Sequence, residues 1–183
     1  MPEIDDGSPC DDNIDLAGAP TSAVIQSGRA CIRSFREKRH SQHGKRGIEL
    51  LTHVLTTSSA SSDSYMVVLH DLGDIYEFAR MPTQAIALYE KHLQRVDSRD
   101  TNIRTRLGVV YLRSEKKHEA RQELNRVLQQ DPQNPRANAY LGLMLKLEGR
   151  LQEAAELMKV CYLYLSMTTI IYCVRVAAWA RPT

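Results

Sequence analysis

The chain has 183 residues, with 24 lysines and arginines against 22 aspartates and glutamates, for a formal net charge of +2. That length holds one domain, or a smaller domain with tails, and the near balance of charge argues against a dedicated nucleic-acid binder, which carries a clear basic excess. The four cysteines show neither a CxxC pair nor zinc-ligand spacing, their count is too low for a disulfide scaffold, and two sit in apolar surroundings as small hydrophobes, which leaves the redox compartment undecided.

The first 22 residues hold six carboxylates and no lysine or arginine, with few large apolar side chains among them. Such a stretch buries too little surface to offset its ordering entropy, so residues 1–21 are expected to form a disordered acidic tail. It lacks the basic start and apolar run of a secretory signal. The sign then reverses: Arg29, Arg33, Arg36, Lys38, Arg39, Lys45 and Arg46 face Glu37 alone, which reads as a solvated helix face rather than a phosphate-binding patch. Within this segment Gly47, Leu51 and Val54 take the small, large and third apolar offsets of a helix, and residues 22–57 are expected to form a degenerate first helical repeat. The polar "SSASSDS" at 58–64 reads as a loop.

From residue 66 a pattern recurs. Leu72-Gly73, Tyr76, Ala85 and Tyr89 return 35 residues later as Leu107-Gly108, Tyr111, Ala120 and Leu124, and 34 residues after that as Leu141-Gly142, Leu145, Ala154 and Met158. Glycine and alanine at fixed offsets let two helices approach closely, and the large residues fill the space around the contact. Short breaks, "ARMPT" at 79–83, "RSEKK" at 113–117 and "LEGR" at 147–150, separate the helices of each pair. "DSRDT" and "DPQNP" separate the pairs, with N-cap candidates and prolines suited to a first turn. The spacing predicts helices near 66–79, 82–96, 101–113, 117–130, 135–147 and 151–165, in repeats over 66–100, 101–134 and 135–168.

Residues 169–183 form an apolar C-terminal segment, and no charge appears from Val160 to Val174. That run is short against the ~20 residues of a bilayer span. A buried closing helix is favoured over a membrane anchor through residues 160–180, and an out-of-frame end is a third reading.

A period of 34 with L-G-x-x-Y, then A-x-x-x-[FYLM], then proline resembles the tetratricopeptide repeat. The resemblance implies an all-α, tetratricopeptide-type helical-hairpin solenoid whose first helices line a concave face. On that pattern Val67, His70, Asp74, Glu77 and Phe78 point into the face, followed by Asn102, Thr105, Val109, Leu112 and Arg113, then Arg136, Ala139, Leu143, Lys146 and Leu147. The candidate peptide contacts are His70, Asp74, Glu77, Asn102, Thr105, Val109, Arg113, Arg136, Leu143 and Lys146, and the expected partner is a protein or an extended peptide, not a nucleic acid. Asp74 stands where chaperone-tail clamps need a carboxylate-gripping residue, which argues against that use.

No catalytic residue, cofactor or metal is expected. G-x-S-x-G, P-loop and dinucleotide fingerprints are missing, and His40 and His43, three apart, lack a third ligand nearby. The segment "DTNIRTRLGVVYLRSEKKHEARQELNRVLQQDPQNPRANAYLGLMLKLEGRLQEAAELMK", with the lead-in "SGRACIRSFREKRHSQHGKRGIELL", resembles the repeat region of the aspartyl/asparaginyl β-hydroxylases over residues 22–160. This implies a substrate-positioning or scaffold module of the endoplasmic reticulum, since in that family the repeats precede an iron(II)- and 2-oxoglutarate-dependent dioxygenase domain that modifies epidermal-growth-factor-like domains. No position here matches an iron ligand or a 2-oxoglutarate contact. The expectation is a non-catalytic module, with a truncated hydroxylase and a tail-anchored scaffold as alternatives, and the lack of a signal or anchor at the start reads as cytoplasmic.

Overall fold

The computed structural model describes Cys10, Ile14, Leu16 and residues 18–38, 41–59 and 62–164, with side chains as far as Lys159. Among these, eight helices follow one another: α1 (Thr21–Lys38), α2 (Ser41–Thr57), α3 (Asp63–Phe78), α4 (Pro82–Arg95), α5 (Thr101–Arg113), α6 (Lys117–Gln130), α7 (Pro135–Leu147) and α8 (Leu151–Tyr164). The chain divides into two compact units, Met1–Leu88 and Tyr89–Thr183, and the division falls inside α4.

In the first unit α1 and α2 fold back on one another because each carries one small, apolar face. A Cβ on Gly28 would lie 2.9 Å from Leu51 Cδ2, and one on Gly47 would lie 2.8 Å from Ile32 Cγ1 and 3.0 Å from the Gly28 carbonyl oxygen. This contact admits no side chain at either position. Around it Val24, Cys31, Leu50, Leu51 and Val54 join Val68, Leu72 and Ile75 of α3 in one buried core. Each fully buried aliphatic side chain contributes about 1.5–3 kcal/mol relative to exposure. Helix α3 starts at Asp63, earlier than the spacing predicts, because Ser62 lies in extended backbone and its hydroxyl accepts from the Tyr65 amide at 3.2 Å. The N-cap sits inside the serine-rich run whose composition reads as loop.

The expected disordered tail over 1–21 is corrected at five positions, one of which, Thr21, opens α1. Ile14, Leu16 and Ala19 are half-buried against the core of the first unit, and Cys10, also packed there, is disulfide-bonded to Cys31. The few apolar residues among the carboxylates find a surface, and the covalent bond offsets part of the ordering entropy. Residues 1–9, 11–13, 15 and 17 lie outside the described residues.

The second unit repeats one set of local devices at the spacing of the sequence pattern. Asp100 and Asn134 cap α5 and α7, their side chains accepting from the Ile103 and Ala137 amides at 2.9 and 3.0 Å. One turn further on, Arg104 Nη2 and Asn138 Nδ2 donate back to the carbonyls of Ser98 and Pro132 at 2.5 and 3.0 Å. Two different side chains thus satisfy equivalent carbonyls. Arg104 also meets Glu123 of α6 through Nη1 at 2.5 Å, in a buried ion pair. Gly108 lies against Leu124 and Gly142 against Met158, as the small-large alternation implies.

The turns of the α3–α4, α5–α6 and α7–α8 hairpins close in the same way. Arg80, Glu115 and Gly149 have positive φ, at 56°, 61° and 80°. The next residue then donates its amide back five positions, Met81 to Tyr76, Lys116 to Tyr111 and Arg150 to Leu145. That is a Schellman closure, which needs one left-handed residue after the helix. Residues 169–183 lie outside the described residues, and no helix among those described is long and apolar enough to cross a membrane.

Candidate binding groove on the first unit

On α1 the residues Ser22, Ile25, Gln26, Arg29 and Arg33 recur at three- and four-residue steps and share one helix face. That face and the first turns of α3, with Asp63, Ser64 and Val67, enclose an open cavity of about 510 Å³. Val67, 38% exposed, supplies the apolar contact, while Ile25 beneath it lies almost wholly in the core. Arg29 Nε donates to Asp71 Oδ2 of α3 at 2.6 Å, so one basic wall residue is tied across to the opposite helix. Beyond the cavity Phe35 of α1 meets Phe78 of α3 edge to face at 5.8 Å, and the Arg36 guanidinium stacks on Phe78 at 5.6 Å. The groove thus offers an apolar floor, hydroxyl and amide side chains, and charges of both signs, a lining suited to a polypeptide. Among the described residues no group of three histidines, cysteines, aspartates or glutamates is placed to hold a metal ion. His43, one of the two closely spaced histidines, has its Nδ1 at 2.8 Å from the Ser34 hydroxyl, while His40 lies outside the described residues.

The ten candidate contacts divide by exposure. Asp74 is exposed on α3, with His70 and Glu77 half-buried, and in the second unit Asn102, Arg113 and Lys146 are exposed and Arg136 half-buried. Thr105, Val109 and Leu143 are corrected: they are 1%, 4% and 1% exposed and cannot meet a partner in this arrangement. Here α5 touches α7 as well as α6, so the apolar or hydrogen-bonded positions on these helices serve packing, and the Thr105 hydroxyl donates to the Thr101 carbonyl at 2.6 Å. Of the flanking positions, Leu112 and Ala139 are buried as well. The arginines of α1 are absent from the candidate set, although their i, i+4 spacing with Ile25 and Gln26 could have marked a face; the charge run masked it.

The second unit holds two polar pairs that bear on stability. His92, 1% exposed, has its Nε2 at 3.2 Å from Asp100 Oδ2, the same carboxylate that caps α5. The Tyr111 hydroxyl donates to Glu90 at 2.5 Å, and burial together with that bond raises its pKa well above the usual tyrosine value.

Paired helices, small-large packing and left-handed turns repeated in register define a helical-hairpin repeat protein. The Tetratricopeptide repeat family matches residues 70–135 and 105–161, together half of the chain, and the chain belongs to that family. No curated protein matches the sequence. Among solved structures, MamA from AMB-1 superposes with a TM-score of 0.58 at 20% identity, covering 86% of this chain and 81% of that one. MamA from MSR-1 gives 0.58 at 19%, covering 81% and 79%, and a further MamA crystal structure gives 0.58 at 16%, covering 78% and 76%. At these identities the likeness shows the fold: all-α and of the tetratricopeptide solenoid type.

Proposed function

We propose that the protein is a non-catalytic interaction module that holds an extended segment of a partner protein in the groove between α1 and α3. The carrying observation is the groove itself, with Val67 exposed between Arg29, Arg33 and Asp63 in a fold built from paired helical hairpins. The test is a displayed library of random peptides selected on the full chain. Selected peptides lose affinity at least roughly tenfold, about 1.4 kcal/mol, on Val67→Glu, and bind unchanged to Lys117→Glu on α6. Equal losses from both variants, or none from Val67→Glu, exclude the groove.

A finer reading follows the β-hydroxylase resemblance of residues 22–160: the partner segments are epidermal-growth-factor-like substrates, presented to a dioxygenase domain. The lead-in that carries the resemblance occupies α1 and α2, the groove's own hairpin, which supports this reading. Extending the transcript downstream tests it, because an in-frame dioxygenase domain makes the chain part of a hydroxylase, and a stop codon with no such domain leaves the interaction module alone.

A further inference from the structure

We propose that Cys10 and Cys31 form a redox clasp that fastens the N-terminal residues to the first hairpin, with Cys10 the thiol through which exchange enters and Cys31 the buried thiol that closes the bond. Cys31, on α1, is 0% exposed and belongs to the core of the first unit, whereas Cys10 is only partly buried and is bonded to it across 21 positions. The bond does not act alone. Ile14, Leu16 and Ala19 pack against the same core, and Arg46 of α2 donates from Nη2 to the Ile14 carbonyl at 3.5 Å. The disulfide therefore stands at the outer end of a set of apolar and polar contacts, each too small to hold the segment by itself.

Closure is a thiol–disulfide exchange with a low-molecular-weight disulfide as oxidant. The Cys10 thiol gives its proton to water, and its thiolate attacks one sulfur of the small disulfide, forming a mixed disulfide and expelling one small thiolate. The Cys31 thiolate, its proton likewise lost to water, then attacks the Cys10 sulfur and expels the second. Two protein thiols are oxidised by two electrons in all, and the small disulfide is reduced to two thiols. Opening runs in reverse: a small thiolate attacks the Cys10 sulfur, expels Cys31, and a second thiolate frees Cys10. Access fixes this order, because an external reagent reaches the core position only after Cys10 has moved away. In the open state only the packing of Ile14, Leu16 and Ala19 and the Arg46–Ile14 hydrogen bond hold the segment.

The test uses the full chain in glutathione buffers poised oxidising or reducing. No lysine or arginine precedes Arg29, and Arg29 and Arg33 bracket Cys31, so trypsin without reductant joins residues 1–29 to residues 30–33 when the clasp is shut. The expected result is that linked pair in oxidising buffer and its loss in reducing buffer. Reduction also speeds amide exchange along α1 roughly tenfold and lowers the melting temperature by about 5 °C or more. Cys31→Ser retains glutathione on Cys10, while Cys10→Ser leaves Cys31 unmodified and its melt insensitive to reductant. Should Cys31→Ser fail to fold, iodoacetamide labelling of the reduced wild type decides, with Cys10 labelled faster than Cys31. The proposal is overturned if the linked pair never forms, if it forms but reduction changes neither exchange nor melting, or if the two cysteines react at equal rates.

Discussion

At the residue scale, stability turns on what each small residue faces. A Cβ at Gly108 would lie 2.9 Å from Leu124 Cγ and 3.0 Å from its Cδ2, and Leu124 is fully buried with no room to retreat. At Gly142 the nearest atom is Met158 Cγ at 3.1 Å, on a longer and more adaptable side chain, with the Ala154 carbonyl oxygen next at 3.3 Å. Alanine in place of glycine gains about 1 kcal/mol of helix propensity, and overpacking costs about 1–3 kcal/mol. Gly108→Ala is therefore expected to destabilise by about 1 kcal/mol, while Gly142→Ala is close to neutral. Urea unfolding of both variants checks this, and a larger loss at Gly142 than at Gly108 contradicts the packing described. The buried Arg104–Glu123 pair illustrates the opposite residue type: it is satisfied by Ser98 and Arg126 as well, yet Arg104 Nε has no partner. Its net contribution is accordingly modest for a pair so deeply placed.

At the scale of the element, three hairpin turns solve one problem with unequal residues. All three need a left-handed residue to close, but only Gly149 carries no Cβ penalty, while Arg80 and Glu115 carry about 1–2 kcal/mol each. No atom lies within 4 Å of a Cβ built on Gly149, so conformation alone, not space, sets the cost there. Glu115→Gly is expected to stabilise by about 0.5–1 kcal/mol after the entropy of the unfolded chain is counted, and Gly149→Ala to destabilise by about 1 kcal/mol. Differential scanning calorimetry separates the signs, and a loss of stability in Glu115→Gly refutes the account of the turn. The turns were visible in sequence as breaks in the pattern. Their handedness was hidden, because nothing in "RSEKK" marks glutamate as left-handed until the returning Lys116 amide is seen.

At the scale of the whole molecule, Tyr65 in the first unit and Tyr111 in the second are buried tyrosines whose ionisation is opposed. Burial raises the Tyr65 pKa in the first unit, and burial with the Glu90 hydrogen bond raises that of Tyr111 in the second. In the unfolded chain both titrate near 10. The stability tied to their neutral forms is therefore complete below pH ~10 and falls as pH rises further, since the unfolded state releases protons first. Urea midpoints between pH 8 and 11 should fall at the alkaline end, with a shallower slope in Tyr111→Phe; an unaltered slope shows that the hydroxyl is not held neutral. The tetratricopeptide fold was legible in the sequence because glycine, alanine and large apolar residues recur at fixed offsets. The groove was less so: periodicity assigns positions to a face but does not say whether a second helix covers them, and Thr105, Val109 and Leu143 fall on the predicted face yet are buried. The Cys10–Cys31 pairing was hidden for a related reason, since proximity across 21 positions belongs to the folded hairpin and not to local spacing. The ion pair that spans the groove has a consequence of its own. A carboxylate arriving at Arg29 finds the guanidinium already engaged by Asp71, so occupancy there is substitution rather than capture: one anion replaces another and little net electrostatic energy changes hands. Partner choice then rests on shape and apolar fit over Val67, and added salt should shift affinity far less than a row of arginines suggests.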